Sequence, residues 1–174
     1  MDVNWNETLR EQWTWHWDNQ VRARLDGLTD DEYFWSPVPG AWTVRPEDNS
    51  IDYAFPQPIP APFTTIAWRL GHVIVGVLAM RNAAHFGAPA ASYGKWRYAT
   101  TAAEAMAQLE EQLGVWLDGV RSLGSDGLAR PCGDTEPYPE LPMAALVLHI
   151  HRELIHHLSE VCLLRDLHLR GAGR

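Results

Sequence analysis

The sequence is poor in positive charge, and this shortage excludes two classes of partner. Its 14 basic residues include a single lysine, Lys95, and are outnumbered by 22 acidic residues, so that the formal net charge is −8. Proteins that bind nucleic acids or anionic membranes usually present a cluster of basic residues. Because the basic residues are scattered along this chain, we expect no nucleic-acid partner and no membrane partner.

A long apolar segment and a disulfide framework are also lacking. The longest apolar run, residues 73–80, is far shorter than the roughly 18 residues of a membrane-spanning helix. The two cysteines, Cys132 and Cys162, lie in unrelated contexts, which is typical of a reducing compartment. Residues 1–5 are acidic and polar, unlike the basic and then apolar start of a secretory signal. We therefore expect a cytoplasmic protein.

The residues that are present are sufficient for one domain. With 174 residues, of which 46% are hydrophobic, the chain is long enough to bury a core, and we expect a single domain over residues 1–174. Nine tryptophans are an unusual number for this length. Each is more readily explained as core or surface than as part of a ligand cavity, although a buried indole N–H also suits such a wall.

Apolar residues recur every three or four positions in four segments, which predicts four helices. The first spans about 9–28, and the second, 63–86, lies between a proline and a glycine, the favoured arrangement at helix ends. The third begins at Thr101, which forms a capping box with Glu104, and ends near Gly124. The fourth extends from about 142 to 169.

Two long loops separate these helices. The first follows helix one and is rich in proline up to Pro62, and a loop of this length usually has a function or forms a lid. The second, 125–140, is compatible with short extended pieces, but no run alternates well enough to predict a strand. The predicted fold is all-α: an up-down-down-up-type four-helix bundle with long loops between helices 1 and 2 and between helices 3 and 4.

The fourth helix carries an unusual concentration of histidine. At 100° per residue, His149, Glu153, His156 and His157 share one arc, whereas His151 points to the opposite side. Most polar helix faces simply contact water. Such faces are normally built from lysine, arginine and glutamate, while histidine is the commonest metal ligand. The stripe alone leaves the solvated face and the metal site equally open.

Glu153 and His157 are four residues apart and therefore meet on one face, where they could chelate one ion. A third ligand must come from elsewhere, and His72 on the second helix is the best candidate, since Gly76 and Ala79 would let a neighbouring helix approach. A lone histidine beside an apolar stripe is, however, more often a core residue. His85 and His16 are weaker candidates.

Two histidines and one glutamate with an open coordination position are typical of catalytic zinc. Nickel, iron and manganese remain open on ligand type. His149 and His156 flank the ligand arc and are the candidate catalytic residues, either as a partner that orients Glu153 or as a general base. The residues leave three readings open: an enzyme, a metal-binding module without turnover, and a structural bundle.

Three segments resemble the DinB/YfiT-like superfamily of metal-binding four-helix proteins, and within it the branch that includes mycothiol-dependent maleylpyruvate isomerase. They are Pro-Val-Pro-Gly-Ala-Trp-Thr at 37–43, Ile-Ala-Trp-Arg-Leu-Gly-His-Val at 66–73, and His-Ile-His-Arg-Glu-Leu-Ile-His-His at 149–157. The resemblance spans almost the whole chain. It implies metal ligands at His72, Glu153 and His157, with glutamate where many members have histidine.

The resemblance also implies a function. Members with known activities are mostly transferases or isomerases that activate mycothiol or bacillithiol, so we expect a divalent transition metal, zinc or nickel, and a low-molecular-weight thiol as co-substrate. The expected reaction is S-transfer or isomerisation of a small electrophile. The alternative is a non-catalytic metal-binding stress-response module. We also expect a homodimer, although no motif in the sequence specifies the oligomeric state.

Overall fold

The computed structural model describes residues 3–171, and these are mostly helical, as predicted for an all-α protein. The first helical segment is α1 (Trp5–His16), which passes through a π-helical turn (Trp17–Val21) into α2 (Arg22–Leu25). Asn4 caps α1, because its side chain accepts a hydrogen bond from the Glu7 backbone N–H. The predicted stripe of this helix is buried at Trp13, Trp17, Val21 and Leu25.

A short helix, α3 (Asp30–Phe34), was missed by the sequence analysis, which treated residues 29–31 as the end of helix one. Thr29 and Glu32 form a capping box in which each side chain bonds the backbone N–H of the other residue. The Glu32 carboxylate also accepts a hydrogen bond from Arg165 Nε at 2.8 Å. This local start signal therefore begins a new helix after the turn at Gly27.

The second segment starts later than predicted, at Ile66, because Thr65 caps it by accepting from the Trp68 N–H. It consists of α4 (Ile66–His72), a π-helical stretch (Val73–Ala79) and α5 (Met80–Phe86). Its predicted apolar stripe is buried. Gly87 ends it with a φ of 69°, a left-handed conformation that glycine adopts without strain.

The third helix, α6 (Ala102–Ala129), extends beyond the predicted end. Gly124 interrupts it with φ 58°, and helical backbone resumes afterwards. The predicted loop 125–140 is therefore shorter at its start, and it contains one antiparallel bridge between Pro131 and Pro142. The fourth helix, α7 (Met143–Leu169), agrees with the prediction to within about a residue.

The proline-rich loop contains a small hairpin that the sequence did not reveal. Strands β1 (Val44–Arg45) and β2 (Ser50–Ile51) pair antiparallel. The two residues per strand are too few to produce a readable alternation. Among residues 3–171, no helix has both the length and the apolar character that crossing a bilayer requires.

Packing brings the second and fourth predicted helices together, as expected: α4 and the π-helical stretch both contact α7. The core between the segments contains large buried side chains, among them Trp13, Trp116, Leu70 and Leu154. Burial of such side chains contributes roughly 1.5–3 kcal/mol each. The polar stripe of α7 consequently faces α4 at the edge of this core.

Candidate metal centre

Glu153 and His157 meet on α7 as their spacing predicts. His157 Nε2 lies 3.5 Å from Glu153 Oε2, and its other nitrogen, Nδ1, lies 2.9 Å from Glu160 Oε2. Glu160 also forms an ion pair with Arg69 of α4. An ionised carboxylate only accepts hydrogen bonds, so Nδ1 carries the proton in this contact. In the neutral ring, Nε2 then keeps its lone pair on the side of Glu153.

His72 reaches the same place from α4. Its ring lies 4.6 Å from the His157 ring, centroid to centroid, and nearly perpendicular to it at 82°. One face of the imidazole stacks on Trp68, at 5.4 Å and 9°. Nδ1 lies 2.5 Å from the hydroxyl oxygen of Tyr93. His72 and Glu153 line one cavity of about 240 Å³.

The environment keeps His72 uncharged. Burial, and then the neighbouring positive charges of His157, Arg69 and Arg81, lower the pKa of His72 to about 3. A neutral imidazole has an available lone pair on one nitrogen. The three predicted ligand residues are therefore close together, and His72 is in the protonation state that a metal ligand requires.

The two candidate catalytic residues lie in different surroundings. His149 lines the cavity beside Glu153, and its Nδ1 accepts a hydrogen bond from Arg152 at 2.6 Å. Since arginine only donates, the neutral His149 ring carries its proton on Nε2. His156 is 62% exposed, and its Nε2 lies 3.6 Å from Glu160 Oε1. Only His149 faces the cavity.

A second set of donors overlaps the predicted one. Donor atoms of His156, His157 and Glu160 lie within 4.8 Å of one another. This set lies on the outer side of His157, where Glu160 is already paired with Arg69. An ion placed there would have to compete with the guanidinium group for the same carboxylate.

Comparison with known proteins supports the resemblance at the level of the superfamily. Residues 12–161 match the sequence model of the DinB superfamily, and this match covers most of the chain. The chain belongs to the DinB superfamily. The match does not distinguish a branch within it. Searches of the curated proteins and of the solved structures each found no match.

The other titratable residues of this DinB-superfamily protein lie away from the cluster. His151 is buried on the far side of α7, as the helical angle predicts, with its ring 6.1 Å from Trp13 and 6.4 Å from Trp116. His85 Nε2 lies 3.0 Å from Glu136 Oε1. Burial, and then the charge of Glu136, raise the pKa of the Cys132 thiol, which disfavours the thiolate.

Sequence reasoning missed two groups that border the site, Tyr93 and Arg81. It also assigned Gly76 the wrong neighbour, since the aromatic ring of Tyr93, and not a helix, occupies the space beside this glycine. Tyr93 lies in the segment between α5 and α6, where no periodic pattern points to it. By contrast, Glu160 follows His157 by three residues, and this spacing was a usable signal.

A larger cavity of about 380 Å³ adjoins the site. It shares Arg81 and His149 with the smaller cavity and is otherwise walled mainly by the loop before α7 and by α7 itself. Arg81 donates from Nη1 to the Gly76 carbonyl at 2.8 Å and from Nη2 to Glu136 Oε2 at 3.3 Å. The two cavities together offer room for a small organic molecule.

Proposed function

We propose that this DinB-superfamily protein is a four-helix bundle that binds one divalent transition metal ion, zinc or nickel, through His72, Glu153 and His157. We further propose that it acts as a low-molecular-weight-thiol S-transferase or isomerase on a small electrophile. The thiol would be mycothiol or bacillithiol, by similarity to the maleylpyruvate isomerase branch.

One observation carries the metal proposal. With Nδ1 of His157 donating to Glu160, two acceptor atoms, His157 Nε2 and Glu153 Oε2, face each other across 3.5 Å. Two facing lone pairs repel each other unless a cation or a proton lies between them. Metal-bound histidines typically donate their second ring N–H to a carboxylate, which matches the contact between His157 and Glu160.

We favour this donor set over His156, His157 and Glu160 for two reasons. Glu160 is occupied by Arg69 and by His157 Nδ1, whereas Glu153 is free of such a close partner among the described residues, its nearest cation being Arg152 Nε at 3.8 Å. His156 is also largely exposed. A site that includes His72 is better shielded from water, and shielding strengthens charge interactions.

The chain's own residues would prepare the reactants. The bound ion would supply the charge that keeps a thiol sulfur in its nucleophilic thiolate form at neutral pH. His149, with its proton on Nε2, would donate a hydrogen bond into the cavity. The adjoining cavity would hold the electrophile beside Arg81 and away from bulk water. Glu153 would balance part of the metal charge.

The test compares wild type with Glu153→Gln in one preparation of each. We expect close to one metal ion per wild-type chain by elemental analysis, and thiol transfer from mycothiol or bacillithiol to a model electrophile. The amide is nearly isosteric with the carboxylate but uncharged and a poorer ligand. Metal content and transfer rate should therefore fall much more than the thermal unfolding temperature.

The outcomes separate the parts of the proposal. A wild-type protein that binds no transition metal would contradict the metal site. A metal-loaded protein that transfers none of several low-molecular-weight thiols to any of several electrophiles would contradict the enzyme. The protein would then be a non-catalytic metal-binding module.

A further inference from the structure

His72 lies between two aromatic side chains that restrict its ring in different ways. Trp68, one helical turn earlier, stacks on the imidazole with the two planes 9° apart. Tyr93, from the segment between α5 and α6, brings its hydroxyl oxygen to 2.5 Å from Nδ1. Stacking limits rotation of the ring, and the hydrogen bond selects which nitrogen points away from the tyrosine.

The approach of Tyr93 depends on Gly76, one turn after His72. A Cβ atom at this position would overlap the Tyr93 hydroxyl oxygen and would lie 3.2 Å from His72 Nδ1. Any side chain larger than that of glycine would therefore separate the phenol from the imidazole. The close contact is thus a specific feature of this helix.

Both aromatic groups are held by consecutive residues of the proline-rich loop. The Asp52 carbonyl oxygen accepts a hydrogen bond from Trp68 Nε1 at 2.8 Å. The Tyr53 ring stacks on the Tyr93 ring at 4.8 Å and 17°. Asp52 is itself anchored, because its carboxylate accepts hydrogen bonds from the Arg45 guanidinium at 2.7 and 2.9 Å.

We propose that Tyr93 is a positioning residue for His72 and that Asp52 and Tyr53 of the proline-rich loop keep it in place. His72 Nδ1–H donates to the Tyr93 hydroxyl oxygen, so that Nε2 keeps the lone pair for the metal. The loop then contributes to metal affinity without contacting the ion. This inference rests on the proposed metal site, since it assumes that His72 is a ligand.

The test measures zinc affinity by competition with a chromophoric chelator, using Tyr93→Phe. Loss of a group that orients a metal ligand typically weakens metal binding about 10–100-fold, and we expect a loss in this range. Gly76→Ala should weaken zinc binding as well, because it displaces the phenol. The visible absorption spectrum of the Co²⁺-loaded protein should change in both variants, since the His72 ring is reoriented.

Tyr33→Phe is the matched control. The Tyr33 hydroxyl is also buried and donates to the Ala99 carbonyl at 3.0 Å, but it has no contact with the site. This variant should lose stability and keep wild-type zinc affinity and the wild-type Co²⁺ spectrum. Equal zinc affinity in wild type and Tyr93→Phe, or an equal loss in Tyr33→Phe, would overturn the positioning role.

A measurement without metal separates this inference from the metal site itself. In metal-free wild type, side-chain ¹⁵N NMR should show His72 as the Nδ1–H tautomer, and Tyr93→Phe should reduce that tautomer. An Nε2–H tautomer in wild type would overturn the inference. Absence of zinc binding by wild type would instead overturn the proposed function, while the tautomer measurement would still report on the contact between Tyr93 and His72.

Discussion

His151 and His157 occupy the same helix six residues apart, yet their surroundings differ in almost every respect. His157 contacts two carboxylates and lies beside a second imidazole. His151 lies between Trp13 and Trp116, and no group of residues 3–171 hydrogen-bonds its Nε2 atom. Burial lowers the pKa of His151 to about 4. Equal residue type and similar exposure therefore do not imply an equal role.

The angular separation explains this difference. Six residues correspond to about 120° of rotation around the helix, so one ring points to the polar edge and the other into the core. The neighbours on the core side are aromatic and offer packing but no carboxylate. A metal ligand needs charge neutralisation, and only the His157 side provides it.

The sharpest break of this comparison is removal of each histidine. We expect His157→Ala, and likewise His72→Ala, to weaken zinc binding by more than the about 10–100-fold that loss of a supporting group costs. The reason is that each removes a ligand. His151→Phe should retain near wild-type metal content. Elemental analysis and zinc competition titrations give the comparison, and full occupancy in His157→Ala or His72→Ala would show that the ligands are misassigned.

Acid should break the His151 side of the comparison. The folded pKa of His151, about 4, lies below its unfolded value near 6.5. The unfolded state therefore takes up a proton first, and the free energy of unfolding falls as the pH drops from about 6.5 to about 4. The loss from His151 is at most about 3 kcal/mol. It is complete near the folded pKa and absent above the unfolded one.

His151→Phe should remove that share, so that between pH 7 and pH 4 it gains up to about 3 kcal/mol relative to wild type. Urea unfolding of the metal-free proteins at both pH values measures this difference. His16 and Arg152 line the groove beside His151 and are unchanged in the variant. The exposed His156→Phe is the control and should follow wild type. An equal loss of stability in wild type and His151→Phe would contradict the assignment.

The smallest expected effect is at His156, the exposed neighbour of His157. We expect His156→Ala to change zinc affinity far less than His157→Ala, because its ring lies outside the cavity lined by His72 and Glu153. Zinc titrations on the two variants give the ratio directly. A severe loss in His156→Ala together with retained binding in His72→Ala would place the ion on His156, His157 and Glu160 instead.

Much of the helical framework was readable from local patterns. The stripes of α1, α6 and α7 follow the helical period, and the capping boxes at Thr29 and Thr101 lie where the sequence pattern S/T-x-x-E occurs. The analysis used only the second of these boxes and therefore missed α3. The hairpin at 44–51 could not be predicted, since its strands are two residues long and its position depends on packing against α4.

The pair Glu153 and His157 and the inward direction of His151 follow from the amino-acid sequence, because helix geometry relates residues four or six positions apart without reference to the rest of the chain. The contact between His72 and His157, and the positions of Tyr93, Trp68 and Tyr53 around His72, arise from packing between distant segments. Their spacing along the chain contains no distance information, because loops of any conformation can connect them. The local half of the candidate site was therefore predictable, and its support depended on the fold.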